Sequence, residues 1–338
     1  MKKISRRKFI KYSAVASLGA AGCLPHVEGD WQSCSEPLPT PSPPPSPRVV
    51  EVLAPEAVDQ QAGRLVEAKV VQAFESGLLE LTQKATIQEA WNAILPGWQA
   101  GQKISLKVNT LNAEVPTSPL LVAAVVDSLL RSGYPAGDIF VWDRTLRELE
   151  RAGYSSQELG VELRGTYVSS SDQSGPGYEE EAACLSGKKI YLSRLLTRQT
   201  NHLINIAVLK NHFAAKFTAC LKNHYGSFSR PYDFHADSDL HIARLNCLPA
   251  IASVSRLQIV DAFFGVCLGD TDKPADCAPG RLLIGFDPVA VDKRAVEIRD
   301  LMRQQVHGQE PGPQPGYLEE AERLGLGSTA YELVPIEL

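Results

Sequence analysis

The residues with the most chemistry in them fall between His202 and His241. This stretch carries Lys210-Asn211-His212, the phrase Leu221-Lys222-Asn223-His224-Tyr225-Gly226, and five of the chain's seven histidines: His202, His212, His224, His235 and His241. Outside it, Lys107-Val108-Asn109, Asp143-Arg144 and Asp261 each close a predicted strand. Lys107, Arg144, Lys210 and Lys222 form a cationic set. A lysine in such company binds carboxylate or phosphate as a point charge, or loses its proton and serves as base or nucleophile. The first role is the commoner, so an anionic small molecule is the expected ligand. Lys222, His224, Lys210, His212 and Asp261 are the candidates for catalysis, and Lys107, Asn109, Arg144, Asn223 and His235 for ligand binding. No histidine pair has the i, i+4 spacing of a helical metal site. A metal reading therefore rests on clustering, with His212 and His224, each two residues from a lysine, as the pair to hold the ion. The same histidines suit structural or substrate-binding roles. Asp292 is a further carboxylate, and Asp287 reads as a helix cap.

These groups need elements to position them. Helical periodicity runs over residues 57–81 through Val58, Leu65, Val66, Val70 and Phe74, and a second helix around Ile87 to Leu95 stops at Pro96-Gly97. The two predict an N-terminal helical layer. A strand follows over Lys103 to Val108, then a helix opened by Thr117-Ser118-Pro119 and closed by Gly133, then a strand over Asp138 to Trp142. Such a strand–helix–strand unit crosses over right-handed and yields parallel strands. The helix is apolar on nearly every side and predicts deep packing. Further strands are expected at Lys189 to Leu192, Leu203 to Leu209, Leu257 to Val260 and Leu282 to Phe286, with a helix after Asp287-Pro288. The expected class is α/β with a mainly parallel sheet and flanking helices, the polar strand ends meeting in one cleft if their strands are neighbours.

The first eleven residues hold six Lys or Arg and no acid. Within them Ser5-Arg6-Arg7-Lys8-Phe9 fits a twin-arginine leader, with Arg6 and Arg7 as the signal pair. The apolar stretch Ala14 to Ala21 is too short to span a bilayer and reads as a signal-peptide core. Ala21-Gly22-Cys23 resembles a lipobox, which would make Cys23 a lipidation site, although Ala20 stands where leucine is usual and ordinary cleavage is the alternative. Residues 1–22 are thus read as leader, 23–48 as a proline-rich tether in polyproline II, and 49–338 as the working domain. This predicts export to the periplasm or the outer face of the membrane, with the twin-arginine translocase as a partner on the way.

Removing the leader takes away six cations and no acid, leaving 28 Lys and Arg against 39 Asp and Glu, a net charge of −11. Nucleic acid is not an expected partner of so acidic a chain. The seven cysteines include no C-x-x-C pair, which argues against a zinc ribbon or a ferredoxin-type iron–sulfur cluster. Cys220 and Cys247 sit in apolar company and read as buried thiols. Cys267 and Cys277 bracket a Gly/Asp/Pro loop and are a candidate disulfide in an oxidising compartment, with two separate thiols as the alternative. There is no G-x-S-x-G elbow, Walker loop, G-x-G-x-x-G or H-E-x-x-H.

Taken together, these phrases resemble the DUF362 family, a domain of unknown function, in its twin-arginine-exported form. The likeness runs through Ala90-Trp91 before Pro96-Gly97, Lys107-Val108-Asn109, Trp142-Asp143-Arg144, Val208-Leu209-Lys210 with His212, Leu221 to Gly226, Phe234-His235, Leu248-Pro249, Val260-Asp261-Ala262 and Asp287 to Asp292. The resemblance supplies no function. Some similar chains look fused to ferredoxin-like modules, whose cysteine run is missing here. The chain also departs from similar sequences between Gly265 and Arg281, where a glycine-rich, aromatic loop is usual. The Lys/His pairing is similar, more distantly, to lactate racemase-type proteins that hold a nickel cofactor. Two readings follow: a cofactor- or metal-assisted enzyme acting on an anionic small molecule, its cofactor unspecified, or a non-catalytic envelope lipoprotein that binds a small anion or an envelope partner.

Overall fold

A computed structural model of the chain describes residues 47–338. The leader with Arg6 and Arg7, Cys23, Cys34 and the run of prolines before Pro47 lie outside those residues. The strands, in chain order, are β1 (Arg48–Leu53), β2 (Val58–Asp59), β3 (Arg64–Leu65), β4 (Ile104–Lys107), β5 (Ile139–Thr145), β6 (Glu162–Tyr167) and β7 (Ala183–Leu185). They continue as β8 (Lys188–Ile190), β9 (His202–His212), β10 (Lys216–Thr218), β11 (Ser255–Val266), β12 (Arg281–Gly285) and β13 (Glu332–Glu337). The main sheet has the order β13-β1-β12-β11-β9-β4-β5-β6, with β10 paired to β9 off that path. From β11 to β6 every neighbouring pair is parallel. β12 lies antiparallel between β11 and β1, and β1 and β13 are parallel. The fold is α/β with a mainly parallel central sheet and helices on both faces.

The strand order explains where a ligand can enter. From β4 the chain moves outward to β5 and β6, then returns to β9 on the other side of β4 and continues to β11. The direction of winding reverses between β4 and β9, and at such a reversal a crevice opens beyond the carboxyl ends of the strands. β9 fits a central position: His202 to Leu209 are all buried, as expected of a strand covered on both faces.

One face of the sheet is covered by α1 (Glu67–Thr82), α2 (Ile87–Ile94) and α3 (Pro119–Arg131), the N-terminal helical layer. Thr86 caps α2 in a capping box with Glu89, and Ser118 caps α3 with Pro119 in its first turn. Trp91 packs in this layer with no exposed surface, and its indole N–H is satisfied by Ser128 Oγ of α3 at 3.0 Å. α3 is buried over most of its circumference, but Leu120, Ala123 and Leu130 are only half-buried. The other face carries α4 (Cys220–Asn223), α5 (Ser238–Cys247) and α6 (Pro288–His307) over a second core. Asp287 caps α6, accepting from Val289 N and Ala290 N.

Several elements differ from the sequence expectation. The first helix begins at Glu67, not at residue 57, because Asp59 Oδ1 accepts from Ala62 N and turns the chain into the small hairpin β2–β3 first. The strand expected over Lys189 to Leu192 is instead β8, part of the separate hairpin β7–β8. Ser186 and Gly187 both have positive φ, as a two-residue hairpin turn requires. Arg48, expected as the end of the tether, is the first residue of β1 and pairs with Glu332 of β13. β1, β6 and β13 are short strands that periodicity did not reveal, and Pro335 marks β13 as an edge. Cys247 is half-buried, not buried, whereas Cys220 is fully buried.

Candidate functional site

The cavity at the winding reversal has a volume of about 400 Å³. Its floor is a buried polar framework. Lys107, at the end of β4, donates from Nζ to Asp143 Oδ1 at 2.7 Å, to its neighbour's carbonyl Val108 O at 2.5 Å and to Asn223 Oδ1 at 3.3 Å. Asp143, on β5, also accepts from Thr110 N and Thr110 Oγ1, both at 2.8 Å, and from Arg144 N at 2.8 Å. The lysine and these hydrogen bonds hold the Asp143 carboxyl below its usual range against the opposing effect of burial. Asn223 is saturated: Oδ1 accepts from Lys107 and Asn109, while Nδ2 donates to Asn205 Oδ1 at 2.8 Å and to Lys107 O at 3.4 Å. Gly226 lies against this knot. A β-carbon there would come within 2.8 Å of Asp143 Oδ1 and 3.0 Å of Lys107 Nζ, so only glycine lets the loop approach.

Two lysines in the same cavity have a different environment. Lys210, near the end of β9, donates to Asn109 Oδ1 at 3.0 Å and has no ion pair among the described residues. Burial pulls its amine down to about 7, against the opposing influence of Asp143 and Asp261. Lys222, on α4, makes neither a hydrogen bond nor an ion pair among the described residues, and its Nζ lies 4.3 Å from the centre of the Tyr225 ring. Burial brings it to about 7 as well, with Asp270 opposing. α4 is held by Asp292 of α6, whose carboxylate accepts from Cys220 N at 2.7 Å and Leu221 N at 3.0 Å.

Four cations and four acids line the cavity, but they are not equivalent. Lys107 is matched by Asp143, and Arg144 forms a two-point ion pair with Glu148. Asp270 accepts from Phe213 N and Thr271 N, and Asp272 is exposed beside Lys273. Lys210 and Lys222 are left without a contacting carboxylate among the described residues.

The walls are aromatic. The rings of His212 and His235 lie 5.3 Å apart and 21° from parallel, Phe213 and His235 6.3 Å and 3°, and Tyr232 and His235 5.7 Å and 24°. Tyr225 meets His235 edge-on at 5.6 Å. A loop from the end of β11 brings Asp270, Thr271 and Asp272 to the rim. Cys267 and Cys277 form a disulfide at its base, with Cα atoms 6.1 Å apart. Asp276 accepts from the backbone N–H groups of Cys267, Leu268 and Gly269, and Asn112 Nδ2 donates to Thr271 O and Lys273 O, which docks the loop onto the cavity.

The family model for a domain of unknown function, DUF362, matches residues 104–297. The chain belongs to this family. Every residue that lines the cavity falls inside the matched segment of the DUF362 chain, whereas β1 and β13 lie outside it. A comparison with curated proteins finds no match. A solved structure of a structural-genomics protein from Thermotoga maritima shares 15% identity, with a TM-score of 0.43. The alignment covers 71% of this chain and 59% of that one, so this chain spans less than two thirds of that protein's length.

Of the predicted residues, Lys107, Asn109, Arg144, Lys210, His212, Lys222, Asn223 and His235 all line the cavity of this DUF362 member. His224 and Asp261 do not. His224 is buried behind the floor with Nδ1 3.1 Å from Ser227 Oγ, and burial, with Lys107 adding, holds it down at about 3. Asp261 ties β11 to the start of α3 by accepting from Ser118 N at 2.8 Å, and from Phe263 N at 3.2 Å. Asp292, Asn223 and Asp143 act on the floor by positioning other groups.

The predicted metal pair does not fit a metal. His212 Nδ1 accepts from the backbone N–H groups of Ala214 and Ala215, at 3.0 and 3.3 Å. A neutral ring must then carry its proton on Nε2, whereas a metal-bound histidine donates from its second nitrogen. Burial, with Lys222 and His235 adding, holds His212 down at about 2, so it is a neutral N–H donor. His224, the other member, is outside the cavity. The described residues place one group of three metal-type ligands together, Cys267, Asp276 and Cys277, and its sulfurs are joined while its carboxylate is taken by backbone N–H groups. Sequence reasoning missed Glu148, Phe213, Tyr225, Tyr232 and Asp270. Glu148 was legible as the i+4 partner of Arg144; the others reach the cavity only through the folded loops.

Proposed function

We propose that this DUF362 protein is an enzyme that binds a small organic anion in the cavity and exchanges a proton with it through Lys222. One observation carries the reading: an amine buried in a ligand-sized cavity with no hydrogen bond and no ion pair among the described residues. A largely buried ammonium with only a ring face beside it is costly, and two things relieve the cost, a bound anion or loss of the proton. With the amine at about 7, both are accessible near neutrality. In the proposed step Lys210, as ammonium, holds the anion, and the fraction of Lys222 that is neutral near its value of about 7 accepts a proton from the bound ligand and becomes ammonium. Protonated Lys210 and the neutral His212 N–H hold the negative charge left on the ligand, and the reverse transfer restores the amine. The histidine donor set does not support a metal-assisted version.

Titration of the full-length protein with inorganic phosphate and a panel of carboxylates tests the binding, and NMR in D2O reads proton exchange on each ligand that binds. Lys222→Met is expected to weaken binding at least tenfold and to abolish exchange. Unaltered binding in both Lys222→Met and Lys210→Met overturns the reading. Binding without exchange across several ligands favours a non-catalytic anion receptor, which the tether and the lipobox-like Cys23 also suit. The leader supports an exported protein, and Cys23 one held at a membrane by lipid. Fractionation of cells producing the chain with Cys23→Ser would separate the two, because release of the variant into the soluble exported fraction is expected only if Cys23 carries the anchor.

A further inference from the structure

The described residues leave nine large apolar side chains exposed, and the three most exposed are Tyr232 at 65%, Phe213 at 63% and Leu111 at 56%. All three line this one cavity. Isolated exposed apolar residues are ordinary, but their concentration at one mouth marks a contact surface. Its geometry is specific: the planes of Phe213, His235 and Tyr232 are close to parallel. The backbone supports this presentation at a cost, since Lys216 beside the Phe213 turn and Arg230 before Tyr232 both adopt positive φ, which glycine accepts more readily.

Resting on the anion reading above, we infer that the ligand is flat and conjugated, an aromatic or similarly planar carboxylate or phosphate ester. Its π-face extends the stack that Phe213, His235 and Tyr232 already form, and its charge reaches Lys222 and Lys210. Parallel aromatic planes reward a planar partner through offset stacking and reward a puckered saturated ring of equal size through area alone. The neutral histidines suit the same partner. Burial, with Lys222 nearby, lowers His235, so it stacks as an uncharged ring near neutrality. The two unneutralised lysines favour an anionic flat molecule over an apolar one, and the limited volume excludes a polymer from the interior.

Two matched pairs of probes test this by calorimetry on the full-length protein: benzoate against cyclohexanecarboxylate, and phenyl phosphate against cyclohexyl phosphate. In at least one pair the planar member is expected to bind about three to ten times more tightly. Phe213→Ala combined with Tyr232→Ala should bring that ratio to near one, weakening the planar member more than the saturated one. Phe213→Tyr and Tyr232→Phe should keep the preference. Equal affinity within both pairs, or a preference that survives the double alanine variant, overturns the inference while leaving the anion site standing. Failure of all four probes to bind, with wild-type stability intact, overturns the anion reading and this inference with it.

Discussion

Lys107 and Lys222 line the same cavity, both buried, and differ in almost everything else. Lys107 has a carboxylate, a carbonyl and an amide oxygen around its Nζ, and its carboxylate partner has three further donors. Lys222 has a tyrosine ring and no hydrogen-bond acceptor among the described residues. A buried cation with a full set of partners belongs to the framework, because removing it strands its partners. One without partners burdens the framework and is explained by what it binds. The cationic set expected from the sequence thus separates into two ion pairs, Lys107 with Asp143 and Arg144 with Glu148, and two lysines without a contacting carboxylate among the described residues, Lys210 and Lys222, proposed above as the working groups.

The largest expected effect breaks the first side of this contrast. Lys107→Met leaves Asp143 buried without its counter-ion and is expected to cost about 3 to 5 kcal/mol in a denaturant titration. Lys222→Met strands no partner, so the same titration should show no loss or a gain in stability, with anion binding lost. Equal destabilisation by both would erase the distinction. Next in size, removing the disulfide with Cys267→Ser and Cys277→Ser should cost about 2 to 3 kcal/mol of stability. Gly226→Ala pushes a β-carbon into the Lys107–Asp143 pair and should cost about 1 to 3 kcal/mol. Leaving the pair intact in a structure of that variant would show that the loop, not the ion pair, gives way.

A further effect is a slope, not a single loss. Lys210 and Lys222 have folded-state values of about 7, below the roughly 10.4 of a free lysine, so between those values the unfolded chain binds more protons. Stability should therefore rise with pH over that window, by up to about 1.4 kcal/mol per unit for each lysine, with the full penalty present below 7. Lys222→Met should flatten the slope. Anion affinity should move the other way, falling as pH rises through about 7 and the free amines lose their charge, and binding at pH 8 should take up protons. A flat affinity from pH 6 to 9 would show that neither lysine holds the anion.

Much of the fold was readable along the chain because it depends on neighbours. Thr86 with Glu89, Ser118-Pro119 and Asp287-Pro288 open helices through bonds to residues within three positions, and β4, α3 and β5 follow from local pattern. The polar ends of β4, β5 and β9 pointed to the cleft, since those strands are neighbours. The short strands β1 and β13 were not readable, because their pairing partners are distant in sequence. That His224 and Asp261 do not line the cavity was hidden for a related reason. Residue type and strand position do not say on which side of a floor a side chain lies.

From sequence alone came the α/β class, the family resemblance, the expectation of a twin-arginine leader, the excess of acidic residues and the set of residues from which a site would be drawn. Tertiary structure decided which of those residues are spent on one another. Asp143 meets Lys107 across 36 positions and Asn223 meets it across 116, and no local pattern encodes such encounters. It also decided the pairing of Cys267 with Cys277 and the tautomer of His212, set by two backbone N–H groups in the following turn. The physical reason is that a charge acquires its meaning from its contacts and its distance from water. Both are properties of the packed chain.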